Sequence, residues 1–523
     1  MPNSNGISPT EELWPTEILS QPFGSFSRVL ELWAQVKPDQ VALKDHHMEV
    51  NWKQLDQITS RLAAQMRHTG LKRGQAVAIL GSSTVRYALV FLAAVKAGGC
   101  AATLTTSASR EQLERMAEDS GAIHLFIEGV KQRELGPDFA SGMLHIPLEE
   151  IESWMVASNG IVPSDGAKSD DPFNIIYSSG TTGTPKGIVQ SHAMRWTQYS
   201  DTALQFLGSG LPLRSITSTP LYSNTTMIAF LAPLLAGGSV RITEKFDCAT
   251  WLSAVEQDQA TITMLVPIQY QRLMGFEGFE RFDCSSLALK FCTSAPFSKD
   301  LKKRVLGRMP GALIEIYSMT EGGVVCLLPC HEFPDKLHTV GRPSPGSEIK
   351  VLNDADKEVT VGVTGNLVGR SAAVMTEYKN QPEKTSEAFW TDPNTGNRWM
   401  RMGDLGRLDE EGFVELSGRS KDLIISGGFN VYPSDLEAEL EKEEDVLEAA
   451  VIGAASAKWG ETPVGFVVLQ SKDSDCQDLL SRVNSRVGKI QRLAALYSVP
   501  RLPRSHIGKL LKSHLREKLE TID

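Results

Sequence analysis

The sequence predicts an α/β protein. Its large N-terminal domain comprises two α/β layered units and a small β-barrel-like unit, and a small α+β C-terminal domain follows. Three observations carry this. Apolar strand-like runs alternate with helical patterns from Phe23 to Cys292; short glycine-rich β segments run from Gly341 to Gly418; and beyond Arg419 strands and helices mix again. The chain has 523 residues, and domains average roughly 100–200, so several structural units are expected.

In order, Ser25 caps a helix carrying Val29, Leu30, Leu32 and Trp33, and Val41–Leu43 is strand-like. Asn51 caps a second helix, with Leu55, Ile58, Leu62 and Met66 at helical spacing. Ala76–Leu80 is a continuous apolar run, as in a strand buried on both faces. Tyr87–Lys96 is apolar nearly all round and ends at Gly98-Gly99, which fits a helix inside a layered domain. Cys100–Leu104 and His124–Ile127 read as strands, with a helix after Ser109 between them. Residues 158–171 read as a loop. The alternation resumes with a helix at Ala229–Leu235 and strands at Ser239–Ile242, Thr261–Val266 and Leu287–Cys292. The last hundred or so residues are long enough for their own domain, with strands at Leu423–Ile425, Ala449–Ile452 and Gly465–Leu469 and helices around Leu436, Leu479 and Leu515.

Composition excludes some classes. The net charge of −10 gives no global reason to bind nucleic acid. No basic and apolar leader opens the chain, and no apolar run reaches the ~20 residues of a membrane span, so a cytoplasmic protein is expected. The seven cysteines are scattered and read as reduced thiols. Cys326-x3-Cys330-His331 lacks a second ligand pair nearby and reads as a buried strand ending at Pro329, not as a zinc site.

The most informative stretch runs from Tyr177 through Ser178, Ser179, Gly180, Thr181, Thr182, Gly183, Thr184, Pro185 and Lys186 to Gly187. Glycines let a backbone turn its N–H groups toward an anion, and hydroxyls and an ammonium add donors. That composition suits a polyphosphate. It is not a P-loop, which would need glycine at 185 and a hydroxyl at 187.

Four further motifs follow: Glu315-Ile316-Tyr317-Ser318-Met319-Thr320-Glu321, Arg401-Met402-Gly403-Asp404, Gly418-Arg419-Ser420-Lys421-Asp422, and Arg504-Ser505-His506-Ile507-Gly508-Lys509. With the hydroxyl-rich stretch, and in this order, they resemble the adenylate-forming superfamily nearly end to end. That superfamily holds acyl- and aryl-CoA synthetases, peptide-synthetase adenylation domains and firefly-type luciferases. The resemblance implies that Ser178–Lys186 wraps the ATP phosphates. It places Tyr317 and the turn Ser294-Ala295-Pro296 against adenine, within an ATP-binding segment running Glu315–Met319. Thr320 would contact the α-phosphate, Glu321 would hold Mg²⁺, and Asp404 and Arg419 would hold the ribose. Lys509 would be the mobile catalytic lysine. Lys421 would be the hinge of a mobile C-terminal domain, giving domains 1–420 and 421–523, and Gly427-Gly428 would line the CoA channel.

The acyl pocket would involve Tyr222, Ser223, Asn224, Thr225, Thr293 and Ser318, with Ser223 at a position where the family often has histidine. No carboxylate lies between Leu221 and Ala236, which disfavours an amino acid, since an unpaired buried ammonium costs several kcal/mol. No cation lies there to hold a second carboxylate either, a role left to Arg195 or another residue. The expected function is a Mg²⁺- and ATP-dependent ligase joining an apolar aromatic, branched or medium-chain acid to CoA, as a monomer or homodimer. The alternative acceptor is a carrier protein or an amine.

Overall fold

The computed structural model describes residues 14–155, 167–178, 186–427, 429–456, 458–471, 474–505 and 508–521. These fall into two compact units. One is drawn from Met1–Ser178, Pro185–Met264 and Met375–Asn380, the other from Leu265–Val374 and Gln381–Asp523.

The first unit holds the strand–helix alternation. Ala76–Leu80 lies at the centre of a sheet, parallel to Cys100–Thr103 on one side and His124–Ile127 on the other. Pro172–Ser178 extends it beside Cys100–Thr103, and Lys186–Ser191 turns back antiparallel. The central strand is buried at every residue, which is why it carries no polar face. A core of Ala78, Leu80, Ala102, Leu113, Leu125 and Phe139 packs on one side. A second set of parallel strands is ordered Ile262–Leu265, Arg214–Thr217, Ser239–Ile242 and Val41–Lys44, with Glu49–Asn51 antiparallel at the edge.

Local chemistry fixes the helix ends. Asn51 accepts from Gln54 N while the Gln54 side chain accepts from Asn51 N, a reciprocal cap that starts Trp52–His68. Met227–Leu235 contains Pro233, which cannot donate to the Ala229 carbonyl. The Ser215 hydroxyl donates to that carbonyl instead, at 2.7 Å, so the helix keeps its proline without an orphaned acceptor.

His192, 2% exposed, begins the helix His192–Gly208 with its ring edge-on to Phe173. Burial pushes its pKa down from 6.5 to about 4, with Asp171 opposing and Arg73 assisting. The unfolded chain therefore binds the extra proton first, and stability falls as pH drops through that window. The expected loss between pH 6.5 and pH 4 is about 3 kcal/mol. Denaturant titrations should show it, and His192→Phe should flatten it.

In the second unit, Leu289–Cys292 runs parallel to Ala312–Met319, which turns back antiparallel into Gly322–Pro329. The glycine-rich segments form an antiparallel sheet in the order Glu348–Leu352, Gly365–Arg370, Arg398–Leu408 and Phe389–Thr391, with Val414–Arg419 also paired to Arg398–Leu408. These five strands are the small β unit expected after the two α/β units. The C-terminal segment is a sheet buried on both faces. Along Val446–Ser456, Ala449 and Val451 pack with Leu436, Leu440, Leu479 and Val483, whereas Ala450 and Ile452 pack with Leu515 and Leu519. Period-two alternation thus puts two helices on one face and Lys512–Glu520 on the other. None of the seven cysteines, all of them described, forms a disulfide.

Candidate active site

The second unit gathers most of the charged motif residues. Ala312–Met319 carries Tyr317, and Arg398–Leu408 and Val414–Arg419 pair so that Asp404 and Arg419 face each other in register. Asp404, 7% exposed, is held at both oxygens: Tyr317 OH donates to Oδ2 at 2.8 Å, and Arg419 Nε lies 2.9 Å from Oδ1. Burial pushes the Asp404 carboxyl up, while Arg419, the Tyr317 hydroxyl and the more distant Lys509 and Lys421 pull it down. Burial and Asp404 together push the Tyr317 phenol up, so it remains a donor. Each Asp404 oxygen accepts one such contact and keeps a lone pair for another hydroxyl.

Thr320 and Glu321, both partly buried, occupy the turn into Gly322–Pro329. Gly322 fixes that turn: its φ is +88°, and a Cβ there would meet the Ala373 carbonyl at 1.9 Å. The donors the turn offers are a carboxylate and a hydroxyl. This hard oxygen set fits Mg²⁺, which takes one or two carboxylates and completes its shell with phosphate oxygens and water.

Lys509 is tied to Ser505, whose N donates to Lys509 O at 2.8 Å, while Lys509 N donates to Ser505 Oγ at 3.1 Å. The residue is exposed overall, yet enough protein surrounds its ammonium for desolvation to lower its pKa. Like charges on Arg419 and Lys421 lower it further, and Asp404 and Glu321 oppose them. The C-terminal lysine and three separate motifs therefore share one electrostatic neighbourhood.

Behind the strand, Glu315 is buried against Lys302, with Oε2 and Nζ 2.5 Å apart. Lys302 also donates to the carbonyls of Leu337 at 2.8 Å and Thr339 at 3.0 Å. Burial raises the Glu315 pKa against the pull of Lys302. Glu315 thus anchors the strand from its buried side.

Ser294 holds a φ of +83°, in the region glycine favours, while Thr293 Oγ1 donates to Ile316 O at 2.6 Å. A side chain at such a φ costs of order 1–2 kcal/mol. Ser294→Gly is expected to stabilise the protein by about 1 kcal/mol in a denaturant titration.

In the first unit, Lys186 places its ammonium 4.9 Å from the Tyr378 ring centroid. Tyr177 OH donates to Asp119 at 2.9 Å, and Asn380 Nδ2 donates to the same carboxylate at 3.0 Å. Ser178 ends its strand opposite Lys186. The phosphate-binding expectations for Ser179, Gly180, Thr181, Thr182, Gly183 and Thr184 lie outside the described residues, as do Gly428 and His506-Ile507.

Of the acyl-pocket set, Tyr222, Ser223, Asn224 and Thr225 form one short turn, in which Ser223 caps by accepting from Thr225 N. Thr293 and Ser318 belong to the second unit. Arg195 is fully buried and donates to Asn174, Gln198, Tyr199 and Asn224 at 2.8–3.1 Å and also to Gln190. Burial lowers its pKa. Its donors are spent on neutral side chains, so the suggestion that it holds a second substrate carboxylate gains no support.

Lys421 is exposed, and its neighbour Asp422 pairs with Arg516 at 2.7 Å. Gly427 has a φ of +60°, and a Cβ there would meet the Trp459 ring at 2.8 Å.

The Lys302–Glu315 pair, the Arg195 network and the Asp119 anchor of Tyr177 carry no signal in the sequence motifs. Lys302 and Glu315 are 13 residues apart and Tyr177 and Asp119 are 58, and Arg195 reaches Asn174, Gln190 and Asn224 on other elements, where no local pattern links them. Among the described residues no helix is long and apolar enough to cross a membrane.

Comparison with known proteins finds two family models that match the chain. A family model described as AMP-binding enzyme matches residues 30–379, and one described as AMP-binding enzyme C-terminal domain matches 435–509. Feruloyl-CoA synthase from an Amycolatopsis species is 30% identical over 493 residues, covering 93% of this chain and 97% of its own. Indoleacetate–CoA ligase from Aromatoleum aromaticum is 27% identical over 508 residues, covering 94% and 97%. Among solved structures, o-succinylbenzoate CoA synthetase from Bacillus subtilis with its acyl-adenylate intermediate superposes with a TM-score of 0.82 at 26% identity, covering 93% and 97%. The same enzyme has also been solved with ATP and a magnesium ion.

Proposed function

The chain belongs to the AMP-binding enzyme family, in the acyl- and aryl-CoA ligase branch of the adenylate-forming superfamily, and from that premise we propose that it joins a carboxylic acid to CoA in two steps. In the first, a carboxylate oxygen attacks the α-phosphorus of ATP. A carboxyl–phosphorus bond forms, the bond to the β-phosphate oxygen breaks, and pyrophosphate leaves. In the second, the CoA thiol loses its proton and attacks the acyl carbonyl, and AMP leaves with the former carboxylate oxygen.

One observation carries this reading: Lys509, Arg419, Asp404 and Glu321 share one electrostatic neighbourhood within the second unit. Both reactants of the first step are anions, and a cation placed where charge grows on phosphorus lowers the barrier. Lys509 is that cation. Asp404 holds the ribose hydroxyls with its remaining lone pairs, Arg419 fixes the carboxylate, and Tyr317 with Ser294-Ala295-Pro296 and the rest of Ile316–Met319 borders adenine, while Glu315 anchors that segment from behind. Thr320 donates to the α-phosphate, and Ser178–Lys186 binds the departing phosphates. Glu321 holds Mg²⁺, which supplies charge neutralisation at the phosphate oxygens when bound.

Lys421 is the hinge between a domain of residues 1–420 and a mobile domain of residues 421–523. Rotation there withdraws Lys509 and brings Gly427-Gly428 to the thioester step.

For the acid, an uncharged aromatic or branched acyl group fits best. The Tyr222–Thr225 turn offers hydroxyls and an amide, and Arg195, which donates to Asn224, spends its described donor bonds on neutral side chains. The two curated relatives named above are also named for aromatic acyl groups. A panel of aromatic, branched and medium-chain acids, each incubated with MgATP and CoA, tests this by mass spectrometry. Acyl-CoA is the expected product. Acyl-AMP that CoA leaves untouched, and that an amine or carrier protein consumes, would replace CoA with another acceptor.

A further inference from the structure

The turn between Val41–Lys44 and Glu49–Asn51 holds adjacent histidines that the ligase reaction does not use. Their ring centroids lie 3.5 Å apart at 41°, and both face one carboxylate oxygen. His46 Nδ1 and His47 Nε2 are each 3.6 Å from Glu244 Oε1. The three ligand atoms all lie within 4.8 Å of one another.

The turn is built to hold this arrangement. Asp45, 5% exposed, accepts from His47 N at 2.8 Å and Met48 N at 2.7 Å through Oδ1, and from Val85 N at 2.7 Å through Oδ2. Glu244 follows the strand Ser239–Ile242, which runs parallel to Val41–Lys44 in register, Leu43 beside Val240. Both halves of the cluster thus leave the ends of neighbouring strands.

His47 and Glu244 line a cleft of about 170 Å³. Its other carboxylates are already committed: Glu128 accepts from Ser82 N and Oγ, and Glu149 accepts from Gly129 N. Arg86, also at the cleft, is paired with Glu152 at 3.0 Å. Among the described residues Glu244 has the two imidazoles as its ion-pair partners.

We propose that His46, His47 and Glu244 form a binding site for a divalent transition ion of the zinc class. In a tetrahedral site with bonds of about 2.0–2.1 Å, ligand atoms stand about 3.3 Å apart, and the two 3.6 Å edges fall close to that. Two imidazoles and one carboxylate suit Zn²⁺, Co²⁺ or Ni²⁺ and disfavour Mg²⁺, which prefers an all-oxygen shell. Three protein ligands leave a fourth position for water. The bound ion joins the edge hairpin to the segment after Ser239–Ile242, so its effect is to clamp that edge of the sheet.

The test uses the full chain stripped with a chelator and titrated with Zn²⁺ by calorimetry, and with Co²⁺ by its visible absorption. One ion per chain is expected, with a rise in melting temperature that Mg²⁺ does not reproduce. His46→Ala/His47→Ala should abolish binding, and Glu244→Gln should weaken it about tenfold or more. Because these side chains are surface-lying, both variants should melt like the metal-free parent and keep its ligase activity. Undiminished ion binding in both variants, a cobalt spectrum with thiolate charge-transfer bands, or no bound Zn²⁺ at all would overturn the assignment.

Discussion

Lys509→Ala is expected to slow acid-dependent pyrophosphate release about 10²–10³-fold, the loss that follows removal of one preorganised group at developing charge. The same variant should convert preformed acyl-AMP and CoA to acyl-CoA at close to the parent rate, because the lysine serves only the first step. A pH profile adds an independent check. Desolvation, with Arg419 and Lys421 nearby, lowers the Lys509 pKa below its ordinary 10.5, so the free enzyme loses this positive charge at a lower pH than an isolated lysine would. For the adenylation step kcat/KM should therefore fall as pH rises through that lowered value. Lys509→Arg should hold its charge to higher pH and move the fall upward, whatever it costs in absolute rate. Unchanged pyrophosphate release in Lys509→Ala would remove the residue from the first step.

The second large effect concerns stability. Lys302→Met leaves the Glu315 carboxylate buried with its ionic partner gone, and breaking such a pair on one side costs about 3–5 kcal/mol. It also leaves the Leu337 and Thr339 carbonyls without the ammonium that donates to them. The melting temperature should drop sharply, and Glu315→Gln added to Lys302→Met should recover part of the loss, since a neutral amide is cheaper to bury than a charge. A double variant no more stable than Lys302→Met would show that the cost came from the carbonyls and packing instead of the stranded charge.

The sheet-and-helix order was legible because it is written in local periods. The uniformly buried Ala76–Leu80 strand, the Asn51–Gln54 cap and the two-faced Val446–Ser456 strand each carry their signal within a few residues. The Tyr317–Asp404–Arg419 cluster could be anticipated only through motif order, since Tyr317 and Asp404 are 87 residues apart. Other features left no trace in the sequence. Nothing local marks Lys302 as the partner of Glu315, or joins Arg195 to Asn174 and Asn224, because those contacts are set by how strands and helices stack. The positive φ of Ser294 was hidden for a different reason: a serine there conceals a conformation that glycine would have advertised.

Exchange of labelled pyrophosphate into ATP, measured without CoA and in the presence of an acid that the panel identifies, tests the adenylate mechanism most directly. The parent chain should catalyse exchange only with acid and Mg²⁺ present, Lys509→Ala should lose it, and adding CoA should yield AMP and acyl-CoA in equal amounts. Exchange that needs no acid, or product formation that releases ADP and phosphate in place of AMP and pyrophosphate, would contradict the adenylate mechanism.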